Sequence, residues 1–593
     1  MTYPEIHPNS PAASAQHRAD TLARLRENPA VPVLIIGGGI NGVGLFRELA
    51  LQGVDVLLAE RGDYAGGASA ASTRVIHGGI RYLENGEFRL VRESIAERNR
   101  LLRLAPHAVR PLPTTIPLFS WSAGLIHAAR NFFGLKSRPS DRGAATIKIG
   151  LTMYDVFSDG GKSLPRHTFA SRAAALAKRP ALNPAIVATA TYYDAQISTP
   201  ERLCVELVLD AERDHAGARA LNYTAAVAVE AGAVVLEDRL SGERVRVQPQ
   251  CVVNAAGAWI DFANAGMGRP TRFIGGTKGS HLVIDHPALW AMMRGEMIFF
   301  SNPDDGRTCI FYPVEDRVIA GATDIPIDDP DDAVCTDDEI AYILEAMRLV
   351  FPSIHVERAH IALTFSGVRP LPRSDALTPG QISRDHSTPV MPAESGFPFP
   401  VFNLVGGKWT TYRAFGEQVA DRLLPLLGRQ RTRSSHALPI GGGAGYPADS
   451  TAWAAALADA HGLSHAHAEA LFRRYGTRAQ AVAAYLAAGP DRPLAHLPPP
   501  SEHANPLAHM TTREIAYLAV YEDAPHLSDI LLRRTLIGIL GYTTPPLLDA
   551  IADAMGDALG WDSDRRRAEV HETTRVLREK FRMRATDPES VTR

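Results

Sequence analysis

Residues Val31 to Glu60 constrain this chain more than any other stretch. An apolar run, Val33-Leu34-Ile35-Ile36, leads into Gly37-Gly38-Gly39-Ile40-Asn41-Gly42, and a second apolar run ends at Glu60. That order predicts a strand, a tight glycine turn, a helix and a second strand closed by an acid. Gly37 lets the chain turn, Gly39 lets backbone N–H groups approach a pyrophosphate, and Gly42 lets the helix pack on the strand. Glu60 is placed to accept a hydrogen bond from a ribose 2′-hydroxyl, and its charge repels a 2′-phosphate. A dinucleotide site for FAD or NAD is therefore expected, and NADP is disfavoured.

The remaining composition narrows the class. A chain of 593 residues, 45% hydrophobic and 21% charged, is long enough for two or more domains with their own cores. A net charge of −3 leaves no broad basic footprint, so nucleic acid is not expected as a partner. Cys204, Cys251, Cys309 and Cys335 lie far apart without CxxC spacing, which suggests neither a zinc site nor a disulfide framework. They read as reduced cytosolic thiols, and no metal ligands are assigned. Residues 1–30 lack the apolar core of a secretory signal, and no run of 18 or more apolar residues follows. The expectation is a cytoplasmic chain that does not span a membrane.

Three regions are expected. Residues 1–30 form an extension with a short helix from Ala15 to Glu27, ended by Asn28-Pro29 and given no function. Residues 31–430 mix strand-like runs, among them Val252-Val253-Asn254, Val318-Ile319-Ala320 and Phe402-Asn403-Leu404-Val405, with amphipathic segments, as in an α/β or α+β core. A basic, polar stretch from Arg429 to Ser435 then marks a boundary. Beyond it, residues 431–593 form a helical domain, with helices over Thr451 to Ala460, Ala466 to Ala488 and Thr512 to Tyr521, interrupted by Pro498-Pro499-Pro500.

Directly after the second strand, Ala68 to Glu84 carries a run of small and hydroxyl residues, including Ser72 and Thr73, that lets the chain approach a large cofactor. His77, Arg81 and Tyr82 follow close together. Singly, a histidine is more often structural and an arginine a surface charge. Beside a nucleotide fingerprint they become candidates for chemistry.

At this point the chain resembles a known family. Gly37-Gly38-Gly39-Ile40-Asn41-Gly42, Ser72-Thr73-Arg74-Val75-Ile76-His77-Gly78-Gly79-Ile80-Arg81-Tyr82-Leu83-Glu84 and Phe88-Arg89-Leu90-Val91 resemble FAD-dependent glycerol-3-phosphate dehydrogenase. So do Asn254-Ala255-Ala256-Gly257-Ala258-Trp259, Lys278-Gly279-Ser280-His281, Gly321-Ala322-Thr323-Asp324, Ser366-Gly367-Val368-Arg369-Pro370-Leu371, Ser383-Arg384-Asp385 and Gly406-Gly407-Lys408-Trp409-Thr410-Thr411-Tyr412-Arg413. Chance hardly supplies so many in order. Asp529-Ile530-Leu531-Leu532-Arg533-Arg534-Thr535 resembles the helical domain of the same family.

The resemblance implies a Rossmann-like FAD domain interleaved with a mixed-sheet substrate domain of the D-amino-acid-oxidase type, followed by an all-helical domain. It implies FAD contacts from Gly37, Gly39, Asn41, Gly42, Glu60, Ser72, Thr73, Ala256, Gly257, Asp324, Gly407, Lys408 and Thr410. The turn before Thr410-Thr411-Tyr412 reads as a new helix start, whose unpaired N–H groups could stabilise an anionic reduced ring. Arg81, Arg369 and Arg384, with Tyr82, are implied in a phosphate pocket, a task that suits the planar two-donor fork of arginine.

The implied reaction is oxidation of sn-glycerol 3-phosphate at C2 to dihydroxyacetone phosphate, with hydride passing to flavin N5. A base must remove the hydroxyl proton, and His77 is the first choice. Lys278 or Lys408 could instead polarise the hydroxyl, and His281 is the rival histidine. Family precedent implies a quinone acceptor and peripheral attachment at the inner face of the cell membrane. Oxidation by O2, a carboxylate substrate on the same fold, and an inert flavin-binding protein are the alternatives; a homodimer through the helical domain is left open.

Three segments lie outside the pattern or need a separate reading. Leu118 to Lys136 is longer than in short bacterial members, and Trp121, Leu125, Ile126, Phe132, Phe133 and Leu135 resemble an interfacial anchor, with a lid or core helix as the alternative. At Ser198-Thr199-Pro200-Glu201-Arg202, Pro200 departs from the family phrase, and no site is assigned there. Arg565 to Arg584 reads as a solvated basic helix.

Overall fold

The computed structural model describes residues 13–80, 87–121, 143–158, 163–303, 305–374, 385–497 and 507–584. The strand Ala30–Ile36 lies inside a mainly parallel sheet, between Arg244–Asn254 and Val56–Ala59 and parallel to both. Val33, Leu34 and Ile35 are fully buried because both faces of the sheet are covered, which is why the strand reads as a continuous apolar run without alternation. The sheet order is Val390–Met391, Val401–Asn403, Arg244–Asn254, Ala30–Ile36, Val56–Ala59, Ala218–Leu221.

The helix Ile40–Leu51 covers one face with Pro200–Asp214 and Tyr412–Leu423. On the other face lie the hairpin Thr224–Glu230 and Ala233–Asp238 and the N-terminal helix. That helix runs Ala13–Glu27, two residues longer than expected at its start, and buries Leu22 and Leu25 among Leu34, Leu57 and Leu236.

The second sheet is almost wholly antiparallel. Thr277–Ile284 pairs with both Arg317–Gly321 and Ile361–Arg369, and the order continues through Thr308–Val314, Met297–Ser301, Val109–Leu118 and Ala188–Ile197 to the two-residue strand Val75–Ile76. The chain crosses between the two sheets repeatedly, so the nucleotide and substrate halves are interleaved. Val75–Ile76 is one such crossing: it leaves the glycine-rich region, pairs with Ala195 and Gln196, and delivers His77 to the edge of the second sheet.

The C-terminal part is helical, with Ser450–His461, His465–Tyr475, Ala479–Ala487, Thr512–Tyr521, Pro545–Leu559 and Ser563–Glu579. The expected segment Ala466 to Ala488 is broken, because Gly476 has φ +56° and lies so close to Gly442 that a Cβ would stand 2.3 Å from its carbonyl oxygen. Close backbone approach overrides the alanine-rich helical preference there. Residues Pro498-Pro499-Pro500 lie outside the described residues.

Two basic stretches are more anchored than their composition suggests. Between Arg429 and Ser435, the Gln52 side chain accepts the N–H groups of Thr432 and Arg433, and Arg431 pairs with Glu48, so this stretch is pinned to the fingerprint helix. After the last helix, Lys580 donates to the Asp331 carbonyl, Arg582 pairs with Asp337, and the Phe581 carbonyl accepts from Thr364 N–H. The tail end is therefore strapped to the substrate domain and is not simply solvated. Among the described residues, no helix is long and apolar enough to cross a membrane.

Candidate active site

The glycine turn is shaped by what must come close to it. Gly37 has φ +112°, and a Cβ there would stand 2.6 Å from the Ala255 carbonyl oxygen and 2.9 Å from Ala256 N. A Cβ on Gly42 would stand 1.9 Å from the Gly37 carbonyl oxygen. Strand Arg244–Asn254 thus brings Ala256 and Gly257 directly against the fingerprint. Buried Asn254 sets that second loop by accepting Ala256 N–H at 3.1 Å while its amide donates to Asn264 and the Ile260 carbonyl.

Glu60 accepts N–H groups from Gly38 at 2.7 Å and Gly62 at 2.8 Å. Burial raises its carboxyl above the usual range, opposed by those two hydrogen bonds. We expect Gly37→Ala to cost about 2 kcal/mol or more of FAD affinity, through left-handed strain and the Ala255 clash, read as a weakened dissociation constant on reconstitution of the apoprotein.

A third element closes the cradle. Gly407 has φ +85°, and its missing Cβ would meet the Asn41 amide, which donates to the Gly406 carbonyl at 3.1 Å. Trp409 donates to the Ser69 carbonyl, Ser69 Oγ accepts Ile40 N–H at 2.9 Å, and the Thr410 hydroxyl donates to the His77 carbonyl at 3.1 Å. Fingerprint, small-residue loop and C-terminal turn are tied into one unit. Asn41 Oδ1 and Thr411 Oγ1 are buried, and neither has a hydrogen-bond partner in the protein. A glycine-lined cradle with unused buried acceptors suits a long polar cofactor such as FAD. Lys408 extends from this turn, its ammonium donating to Ser94 Oγ at 3.2 Å.

His77 stands in a network that its neighbours in sequence do not reveal. Its Nδ1 is 3.1 Å from Asp194 Oδ2, while Asp194 Oδ1 accepts Gly78 N–H at 2.8 Å and the Tyr154 hydroxyl at 2.7 Å, with Arg98 at 3.3 Å. Three elements supply this support: the strand Ala188–Ile197, the helix Ala144–Phe157 and the helix Phe88–Leu104. Burial opposes the Asp194 charge, but the hydrogen bond and charge of His77, then Arg98 and Gly78 N–H, hold its carboxyl at about 2. An ionised Asp194 requires Nδ1–H on His77, which leaves Nε2 as the acceptor. The one available signal for Asp194 was a carboxylate inside a strand of buried residues, which demands a partner.

The second sheet contributes Arg369, at the end of Ile361–Arg369. It donates to Asp324 at 2.9 Å and to the Thr323 carbonyl at 3.1 Å, and its guanidinium covers Gly279, where a Cβ would stand 2.3 Å from Nη2. Strand Ile361–Arg369 also meets the small-residue loop, since a Cβ on Gly367 would stand 2.5 Å from Ala71 Cβ. His281 is buried, stacks on Phe365 with ring centroids 4.7 Å apart, and has no hydrogen-bond partner at either ring nitrogen. Burial, then the charge of Arg369, lowers it to about 3. So weak a base is poorly matched to proton abstraction near neutrality, which favours His77.

Lys278, expected to polarise the substrate hydroxyl, faces away from the site. Its ammonium is 2.7 Å from Glu339 and donates to the Val334 carbonyl at 2.8 Å, on the strand face opposite Gly279 and His281. Glu339 also accepts from the Ser280 and Thr323 hydroxyls, so Lys278 belongs to a buried network behind the site. Asp324, expected at the cofactor, instead pairs with Arg369. Ser72 Oγ accepts Arg74 N–H at 3.2 Å, with half-buried Thr73 between them, and Arg74 pairs with Glu201 at 2.7 Å. Pro200 begins the helix that carries Glu201. Arg81, Tyr82, Arg384 and residues 122–136 of the expected anchor lie outside the described residues.

Residues 32–422 match the family model described as FAD dependent oxidoreductase, and residues 433–566 match the C-terminal domain of alpha-glycerophosphate oxidase. The chain is 34% identical to a glycerol-3-phosphate dehydrogenase of Synechocystis sp. over 91% of its own length and 94% of that protein. It is 31% identical to a D-erythritol 1-phosphate dehydrogenase of Brucella abortus, over 86% and 95% respectively. The structure of a Bacillus halodurans glycerol-3-phosphate dehydrogenase complexed with FAD superimposes with a TM-score of 0.71 at 21% identity, covering 96% of this chain and 98% of that one, a likeness of fold.

Proposed function

This chain belongs to the FAD-dependent oxidoreductases of the glycerol-3-phosphate dehydrogenase family, and from that premise we propose that it oxidises sn-glycerol 3-phosphate to dihydroxyacetone phosphate and passes the electrons to a quinone. The observation that carries the reading is the His77–Asp194 pair, held at the joint between the cofactor cradle and the substrate sheet. FAD, when bound, supplies the acceptor for the C2 hydride. Gly37, Gly42, Asn41, Glu60, Ala256, Gly257, Gly407 and Thr410 hold or shape its site, with Gly39, Ser72 and Thr73 lining the same loops.

In this proposal His77 Nε2 takes the C2 hydroxyl proton, and Asp194 steadies the imidazolium that forms. Arg369, with Arg81, Arg384 and Tyr82, receives the phosphate, and Lys408 adds positive charge beside the reacting centre. Asp324 keeps the Arg369 fork oriented. A membrane-bound acceptor is supported by exposed Trp121, Ile149 and Val156. Ala145 N–H bonds the Trp121 carbonyl, and Ile149 and Val156 lie seven residues apart on the same helix face.

The test is anaerobic bleaching of the flavin at 450 nm by sn-glycerol 3-phosphate, with D-erythritol 1-phosphate and unphosphorylated glycerol in parallel. Soluble quinone or air is then added. Bleaching by sn-glycerol 3-phosphate with fast recovery in quinone and slow recovery in air is expected. Fast recovery in air would make the chain an oxidase, preferential bleaching by the four-carbon phosphate would change the substrate, and no bleaching of FAD-replete protein would remove the substrate assignment.

A further inference from the structure

The helical domain meets the cofactor cradle at a buried carboxylate, Asp63. Asp63 lies three residues beyond Glu60 and is fully buried. It accepts both arms of Arg534, at 2.7 and 2.9 Å, and the Nε–H of Arg533. Asn222 donates to it at 3.1 Å. Both arginines come from the Asp529-to-Thr535 motif of the C-terminal region. Arg533 also pairs with Asp529, which accepts the Tyr223 hydroxyl at 2.6 Å, and Arg534 donates to the carbonyls of Glu522 and Asp523.

Asp63 opens the loop that sets the fingerprint. Two residues on, Ala65 N–H donates to the Gly38 carbonyl at 3.0 Å; farther along, Ser69 Oγ accepts Ile40 N–H and its carbonyl accepts Trp409. A buried carboxylate stripped of its two guanidinium partners does not stay buried, so undocking of Arg533 and Arg534 must release this loop. The loop carries the groups that fix the Gly38–Ile40 turn. Charge burial here links a helical segment about 470 residues distant to the first turn of the dinucleotide site.

We propose that Asp63, Arg533 and Arg534 are positioning residues that couple docking of the helical domain to FAD binding. The coupling is reciprocal: an intact clamp tightens FAD, and bound FAD holds the clamp closed. A purely structural ion cluster would stabilise apoprotein and FAD-loaded protein equally and leave FAD affinity alone.

The experiment uses the full chain. Apoprotein of the parent, of Arg534→Lys and of Asp63→Asn is titrated with FAD by flavin fluorescence, and backbone hydrogen exchange over Leu527 to Thr535 is followed with and without FAD. Arg534→Lys keeps the charge but loses the two-armed fork, so its FAD dissociation constant is expected to rise at least tenfold with far-UV dichroism unchanged. FAD is expected to slow exchange over Leu527 to Thr535 in the parent and to do so less in the variant. An unchanged dissociation constant in folded Arg534→Lys, or exchange in the parent indifferent to FAD, would overturn the proposal. Should Asp63→Asn fail to fold, the lysine variant and the parental exchange decide the matter.

Discussion

His77→Ala is expected to slow anaerobic flavin reduction by sn-glycerol 3-phosphate by about 10²- to 10⁴-fold, the usual range for removing a positioned base. Substrate binding should change little, because the imidazole is assigned to the proton and not to the phosphate. Stopped-flow bleaching at 450 nm reads the rate, and added imidazole should restore part of it. Reduction at the parental rate would end the role of His77 as base.

Asp194→Asn separates orientation from proton transfer. The amide keeps the shape of the carboxylate but removes the charge that selects Nδ1–H and stabilises the imidazolium, and it leaves buried Arg98 uncompensated. A rate loss of similar size, with the pH profile of reduction displaced, is expected. Simple unfolding would lower the fraction of active protein without moving that profile.

Arg369→Ala is expected to lower kcat/KM by about 10²- to 10³-fold, mostly through KM. Two hydrogen bonds to a charged partner, at about 1.5–3 kcal/mol each, give roughly 3–4 kcal/mol when added conservatively. Because the phosphate is bound alike before and during reaction, the loss is uniform binding. Arg369→Lys should recover only part, since a single ammonium cannot reproduce the fork that bonds Asp324 and Thr323 while facing the Gly279 strand. A substrate without phosphate should react equally with parent and variant; selective loss on that substrate as well would remove Arg369 from the phosphate pocket.

The residues of Lys278-Gly279-Ser280-His281 show where reading the chain stops. All four are chemically plausible, and strand alternation divides them into two pairs. Only the position of helix Asp337–Val350, which places Glu339 behind the strand, decides that Lys278 and Ser280 face a buried carboxylate while Gly279 and His281 face Arg369. Burial beside Arg369 makes His281 a weak base, a property of surroundings and not of residue type.

The fingerprint was legible because its physics is short-ranged. A tight turn, a positive φ at Gly37 and the contact between Gly42 and Gly37 are settled within a few residues, so their demands are written as consecutive glycines. The apolar runs on either side carry the parallel sheet for the same reason, and the order of later motifs carries the family and its cofactor. The charge partners, in contrast, are set by the fold. Asp194 lies 117 residues from His77, Glu339 lies 61 residues beyond Lys278, and Arg534 lies 471 residues from Asp63. Backbone preferences act along the chain, whereas a buried charge is satisfied only by whatever the fold brings within about 3 Å of it.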